Sequence, residues 1–422
     1  MINIEKLLKE SSAREWKINS TKTESYELFF VHSKLETVRA TDTDATTVTV
    51  YLDHDGKKGQ ASFKIYASTT EAEARSKIDG ALVKAALIFN EYYALPEGET
   101  LDGAIESNFT DYEPKAVAAK IADAVFSADM LGEGSVNALE IFINKYTVAV
   151  KNSLGMDKRE VKYSAMIEAI PTWNEGESVE LYEAIRTAEF DYDKIKSEIE
   201  AKMREVRDRG LAKAPEGKLQ CPVVLPAEEL SQLFGELAHT LNFASVYTKQ
   251  NPFSEGDAIQ KSPTGDRISV TMKGQLKGST ASALFDGDGT TLTDVKVIDN
   301  GTVAAYFGGS RFAQYLGRVA TGELSCYSVE CGTLTDEELN SAPYFECVSM
   351  SGLQLDIYND YIGGEVRLAY YFDGEKKIPV TGISISGKLS DALNSIKLSN
   401  ESKQAGRYLG PKLARLEGIE IV

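Results

Sequence analysis

Cys221-Pro222-Val223-Val224-Leu225 is followed shortly by Leu230-Ser231-Gln232-Leu233-Phe234-Gly235-Glu236-Leu237-Ala238-His239-Thr240-Leu241. The first run is short, apolar and β-prone, the mark of a buried strand. In the second, Leu230, Leu233, Phe234, Leu237 and Leu241 recur at spacings of three and four, so one face of a helix is buried. A glutamate and a histidine sit mid-helix, the setting of a zinc peptidase. There, two histidines one turn apart point the same way and a glutamate beside the first acts as general base. That geometry is missing here. His239 lies three residues after Glu236, and no second histidine is near.

Outward from this helix, the composition sets bounds. The chain has 422 residues, enough for two or three domains with sizeable cores. Hydrophobic content of 42% and charged content of 26% are ordinary for a globular protein. The net charge of −18 repels phosphate backbones, and Lys57-Lys58 and Lys376-Lys377 are isolated turn pairs, so nucleic-acid binding is not expected. No apolar run is long enough to cross a bilayer. The opening Met1 to Glu10 reads as a charged amphipathic helix without a signal-peptide core, which points to the cytoplasm and away from membranes. Four cysteines in so long a chain do not suggest a disulfide scaffold.

Before the central helix the chain is mixed α/β. Ser25 to Val31, Leu35 to Ala40 and Thr46 to Leu52 read as strands; His54-Asp55-Gly56 is a turn into a strand from Gly59 to Tyr66. Thr70 and Glu73 form a capping box for a helix through Leu82, Val83, Ala86 and Phe89, ended by Pro96. Pro114 opens a second helix to Asp129. Ala138 to Val150 and Lys158 to Ile170 read as strands joined at Asn152-Ser153-Leu154-Gly155. Asp191 or Asp193 caps a charged helix to about Arg209, and Gly210 to Gly217 reads as a linker. The expected domains are therefore 1–212 and 213–422. The second is β-rich, with strands at Ile268 to Met272, Thr293 to Ile298, Gly301 to Phe307, Gly352 to Ile357, Glu365 to Phe372, Lys377 to Val380 and Gly382 to Ser386. Asp299-Asn300-Gly301 is a strong hairpin signal.

The order of these features resembles the TldD/TldE (PmbA) family, and within it the TldE branch. Phe285-Asp286-Gly287-Asp288-Gly289, Val297-Ile298-Asp299-Asn300-Gly301, Ser310 to Gly317 and Thr321-Gly322 look like the family's run through "FDDEG", "ENG" and "TGN". Cys331 to Leu339 stands where members carry a Pro-Gly, a spacer and "EEL". Lys377-Ile378-Pro379-Val380 through Ile383 to Leu389 is similar to "YPV…TIAGNL". Val150 to Gly155 looks like the "NS.G" turn, and Pro222 to Leu225 with the helix after it matches the strand and helix of the zinc motif. The resemblance covers nearly the whole chain and is most specific in its C-terminal part. It implies an α+β protein, with an N-terminal α/β domain of long strands and helices and a C-terminal β-rich domain of TldD/PmbA type. It also implies a dimer in which a TldD subunit is a zinc peptidase and a TldE subunit lacks metal, together trimming or degrading small unfolded peptides. TldD takes its zinc with an HExxxH helix and a cysteine in a Gly-rich segment near the C-terminus. Carried over by position, Glu236 matches the motif's glutamate, the two histidine positions hold Gly235 and Thr240, and Ser399 to Pro411 has no cysteine. A glutamate without a zinc-bound water has nothing to activate. No metal, no cofactor and no catalytic residue are therefore expected. Gly235, Glu236, His239 and Thr240 mark the degenerate motif.

Other chemistry has weaker signals. His239 with Cys326, Cys331 and Cys347 could in principle hold a metal, but the spacing is loose, and buried thiols are the expected reading. Asp286-Gly287-Asp288-Gly289 resembles a calcium loop, but its Gly falls early and Val297 stands where a closing Glu belongs, so a hairpin turn is expected. His32 and His54 read as solvated, Gly363-Gly364 lacks the helix and Lys of a phosphate loop, and Glu189 to Asp193 reads as an acidic helix N-terminus. With three histidines and no Gly-x-Ser-x-Gly, a serine hydrolase has little support. The expectation is a non-catalytic TldE-like subunit that pairs with a TldD-like peptidase or with itself and holds peptide. The alternative is a stand-alone hydrolase or a peptide-binding homodimer with a rebuilt site.

Overall fold

A computed structural model describes residues 2–129, 132–340 and 343–422. The first half builds one mainly antiparallel sheet from β1 (Glu15–Val31), β2 (Lys34–His54), β3 (Lys57–Ile65), β4 (Asn90–Glu91), β5 (Thr100–Ala104), β6 (Gly134–Asn152), β7 (Asp157–Trp173), β8 (Val179–Glu180) and β9 (Glu183–Thr187). The order is β4-β3-β2-β1-β6-β7-β5, with β8 and β9 also paired to β7. The separate strands expected between Ser25 and Leu52 are parts of β1 and β2, which pair in unbroken register from Glu15↔Tyr51 to Phe29↔Thr37. The polar stretch Thr41 to Ala45 gives no apolar alternation, yet the ladder with β1 holds it extended. Asp55 and Gly56 both take positive φ, as a two-residue hairpin turn requires.

Helices cover one face of this sheet because its apolar residues alternate onto that face. α1 (Ile4–Glu10) and α2 (Glu71–Ala85) bury Leu7, Leu8, Ala74 and Ile78 against Trp16, Ile18, Val48 and Val50. α3 (Pro114–Ser127) and α4 (Tyr192–Leu211) bury Ile121, Val125, Ile195 and Ile199 against Leu28, Leu139, Ile141 and Ile167. Thr70 and Glu73 make both halves of their capping box, Pro114 stands at the first helical position, and Asp191 caps α4. α2 stops at Ala85, short of the expected Phe89 and Pro96. Val83, Leu87 and Phe89 are exposed, so no apolar face sustains another turn, and the chain swings into β4 to pair with Lys57 and Lys58.

The second half is β-rich, as expected, and the whole is α+β. Its strands are β10 (Val223–Pro226), β11 (Val270–Lys273), β12 (Val295–Asp299), β13 (Thr302–Val303), β14 (Cys326–Val329), β15 (Tyr344–Met350), β16 (Gln354–Asp356), β17 (Tyr361–Phe372), β18 (Lys377–Val380), β19 (Ile383–Lys388), β20 (Lys397–Leu398), β21 (Ser402–Ala405), β22 (Tyr408–Pro411), β23 (Leu413–Leu416) and β24 (Glu420–Ile421). One sheet runs β20-β23-β10-β15-β17-β19-β24, with β16 and β18 also on β17; the other runs β13-β12-β11-β14-β22-β21. Short helices α5 (Ala227–His239), α6 (Phe243–Tyr247), α7 (Ser310–Tyr315), α8 (Asp336–Leu339) and α9 (Leu389–Ser395) link them. The expected strand from Gly301 to Phe307 is only β13; beyond it the chain keeps a single bridge, Asn242↔Phe307.

The helix-free face of the first sheet receives loops of the second half. Lys158, wholly buried on β7, donates to Glu99 at 2.6 Å and to Thr291 at 2.6 Å. Glu160, also buried, accepts the Leu284 N–H at 2.7 Å. Asp286 closes its loop by accepting from the N–H groups of Asp288, Thr290 and Glu323, so it forms the turn expected there. Among the described residues no helix is long and apolar enough to cross a membrane.

Candidate functional site

The α5 helix sits where the two sheets of the second half share a core. β10 is flanked by β15 in parallel and β23 antiparallel, so Val223, Val224 and Leu225 are fully buried. Leu230, Leu233, Phe234, Leu237 and Leu241 then pack among residues of both sheets. Each such side chain contributes about 1.5–3 kcal/mol by burial, which fixes the helix firmly. Glu228 and Glu229 lie in its first turn, where the macrodipole favours negative charge.

The face of α5 that would carry a first zinc histidine is filled. Gly235 is buried, and a Cβ built there would come 2.9 Å from the Tyr327 hydroxyl oxygen. Tyr327, on β14, is itself buried and donates that hydroxyl to the Ser231 carbonyl. Its ring lies against Tyr408 with centroids 5.8 Å apart, and Tyr408 stacks in parallel over Phe234. Thr240, at the second histidine position, turns its hydroxyl back onto the Leu237 carbonyl at 2.8 Å. Glu236 is exposed, and its carboxylate has no hydrogen bond or ion pair among the described residues. His239 is half-buried. Burial, and next the Arg407 cation, lower its pKa against smaller opposing pulls from Glu236 and Glu323, so the imidazole is neutral at neutral pH.

Arg407 stands at the tip of the β21–β22 hairpin, within the segment where a cysteine ligand would lie. The residues present do not fit a catalytic zinc. Gly and Thr supply no ligand, an arginine repels a cation, and no group of three or more His, Cys, Asp or Glu converges among the described residues. The thiols do not join His239. Cys326 and Cys347 are buried and Cys221 partly so, with burial holding each thiol above its usual pKa, Cys221 at about 11. Cys331 is exposed, against the expectation of burial. His32 is exposed as expected, but His54 packs edge-on against Phe89 and bonds the Ile88 carbonyl at 3.0 Å.

Beside the first turn of α5 lies a cleft of about 370 Å³, walled by β9 and α4 on one side and by Glu228, Ser231 and β21 on the other. Among the described residues β9 pairs only with β7 and β21 only with β22, so both walls are sheet edges. Lys403 on β21 meets Glu228 at 2.6 Å, and Lys202 on α4 meets Glu183 on β9 at 3.2 Å. Glu198 faces the cleft with no hydrogen bond or ion pair among the described residues, and burial holds its carboxyl above the usual range. Sequence spacing gave no sign of Tyr327, Arg407 or this cleft. The one available signal was Gly235 itself, since a glycine inside a buried helix costs about 1 kcal/mol and marks a close approach.

Residues 217–422 match the PmbA/TldA metallopeptidase C-terminal domain, so the C-terminal half belongs to the PmbA/TldD family. The whole chain shares its fold with solved structures. TldE from Thermococcus kodakarensis superposes with a TM-score of 0.78 at 15% identity, covering 99% of this chain and 98% of that one. A proposed modulator of DNA gyrase from Thermotoga maritima gives 0.77 at 15% identity, with 99% of both chains covered. Another from Bacteroides thetaiotaomicron gives 0.79 at 15% identity, covering 99% of this chain and 97% of that one. No curated protein sequence matches the chain.

Proposed function

We propose that this chain is a TldE-like subunit, without catalysis of its own, that pairs with a TldD-like zinc metallopeptidase acting on small unfolded peptides. The observation that carries this reading is the filled motif. Tyr327 takes the space a side chain at Gly235 would need, and Thr240 is turned into its own helix. The chain keeps the fold around a zinc helix while packing the ligand positions shut. Its share of the work is to complete a chamber and hold peptide in extended form, by strand addition in the cleft between the β9 and β21 edges. We place the domains at 1–212 and 213–422, with the cleft drawing on both, and the pair in the cytoplasm.

Coexpression with a TldD-like chain from the same genome tests the pairing. A stable heterodimer with peptidase activity that neither chain shows alone supports it. A chain that stays a homodimer beside that partner, yet binds extended peptide, favours the peptide-binding homodimer instead.

A further inference from the structure

A second cavity, of about 350 Å³, lies on the helix-free face of the first sheet, away from the β9–β21 cleft. Lys17, Tyr51 and Tyr93 line it from the first half, and Asp288, Arg311 and Glu323 from the second. Its size is at the low end for small-molecule sites. Lys17 and Asp288 pair with each other, so their charges cancel. Arg311 and Glu323 differ. Among the described residues the Arg311 guanidinium donates only to neutral oxygens, at 2.8 Å to the Asn90 side chain and 3.2 Å to the Tyr315 hydroxyl, and it rests on the rings of Tyr93, Phe312 and Tyr315. Among the described residues the Glu323 carboxylate accepts only from neutral N–H groups, at 2.9 Å from Gly309 and 2.8 Å from Asn242. No ion pair joins the two among the described residues, so one cavity holds a cation and an anion that each lack a counter-charge. Tyr51 is 5% exposed, yet its hydroxyl has no hydrogen-bond partner among the described residues. Tyr51 lines the cavity, so this hydroxyl is open to it and free to bond a polar ligand atom.

We propose that this cavity binds a zwitterion, a free amino acid or a dipeptide, with its carboxylate against Arg311 and its ammonium against Glu323. Tyr51 then donates to the ligand's carboxylate, and the rings beside Arg311 wall a small side chain. This assignment uses residues of this chain alone and does not rest on pairing with a peptidase, so the two fail separately.

Calorimetric titration of the isolated full chain with alanine, Ala-Ala, N-acetyl-Ala-Ala and Ala-Ala-amide tests it. Alanine or Ala-Ala binds, and which of them binds tighter assigns the free amino acid or the peptide. Blocking either terminus weakens binding by about tenfold or more, because a buried charge is then left unmatched. Glu323→Gln, which keeps the side chain's size, weakens the unblocked ligand by a similar factor, and Tyr51→Phe, which keeps the ring, by roughly fivefold. Thermal melts of both variants confirm folding. No heat from either unblocked ligand at about 10 mM, equal binding of the blocked forms, or unchanged affinity in folded Glu323→Gln would overturn the proposal.

Discussion

Gly235→Ala has a sign that depends on one hydroxyl group 96 positions from its helix partner Ser231. In an open helix the change is favourable by about 1 kcal/mol, since alanine restricts the unfolded chain. Here the new Cβ meets the Tyr327 hydroxyl oxygen at 2.9 Å, with the next ring atom at 3.5 Å. Tyr327 is held by Tyr408 and by its bond to Ser231, so it cannot swing away freely. Overpacking a rigid core costs about 1–3 kcal/mol, so Gly235→Ala is destabilising by about 1 kcal/mol net. Tyr327→Phe alone costs about 1 kcal/mol for the lost hydrogen bond. In that background the oxygen is gone, the remaining contact is ordinary, and Gly235→Ala becomes stabilising by up to about 1 kcal/mol. The coupling between the two changes is therefore about 2 kcal/mol. Both tryptophans, Trp16 and Trp173, lie in the first half and report poorly on α5. Amide hydrogen exchange of α5 is the suitable assay. An effect of the same sign and size in both backgrounds would refute the claim that Tyr327 occupies the ligand position.

Three further outcomes follow from buried and charged groups. Glu229 is buried, and desolvation pushes its carboxyl up to about 7 from an ordinary 4.5. Because the folded value is raised, its stabilising contribution is full below pH 4.5 and is lost as pH rises through 7. The loss by pH 8 is on the order of 3 kcal/mol; Glu229→Gln should flatten the denaturation free energy over that window, and an unchanged pH profile would contradict it. Glu160→Ala should leave the Leu284 N–H without its acceptor and cost about 2–3 kcal/mol, read as faster exchange through the loop at 284–291. His239 should titrate below the usual histidine range by NMR, and Arg407→Gln should raise its midpoint, because a repelling cation is removed. A midpoint that does not move would show that burial alone sets it.

What could be read from sequence was local or periodic. The α5 helix announced itself because its apolar residues all face one core, and α2 and α4 because Thr70, Glu73 and Asp191 bond groups within a turn of themselves. The long first sheet was read in fragments, since polar stretches such as Thr41 to Ala45 are held by a neighbouring strand rather than by their own pattern. β14 and β15 were missed for a related reason. Each is short, and β11 and β22, which flank β14, and β10, which pairs with β15, lie far away in the chain. The absence of zinc ligands was legible at Gly235 and Thr240. The tyrosine that fills the space was not, because Tyr327 reaches α5 only through the fold. The Arg311–Glu323 cavity was equally hidden, as its walls come from β1 to β3 and Tyr93 in the first half and from α7 and loops in the second.

We propose that α5 keeps the shape of a zinc helix without the capacity to hold zinc. The decisive measurement is zinc titration of the purified chain, with metal content measured after dialysis. No stoichiometric zinc, and no change on His239→Ala, is the result the packing of Tyr327 on Gly235 predicts. About one zinc per chain, lost on His239→Ala, would contradict it.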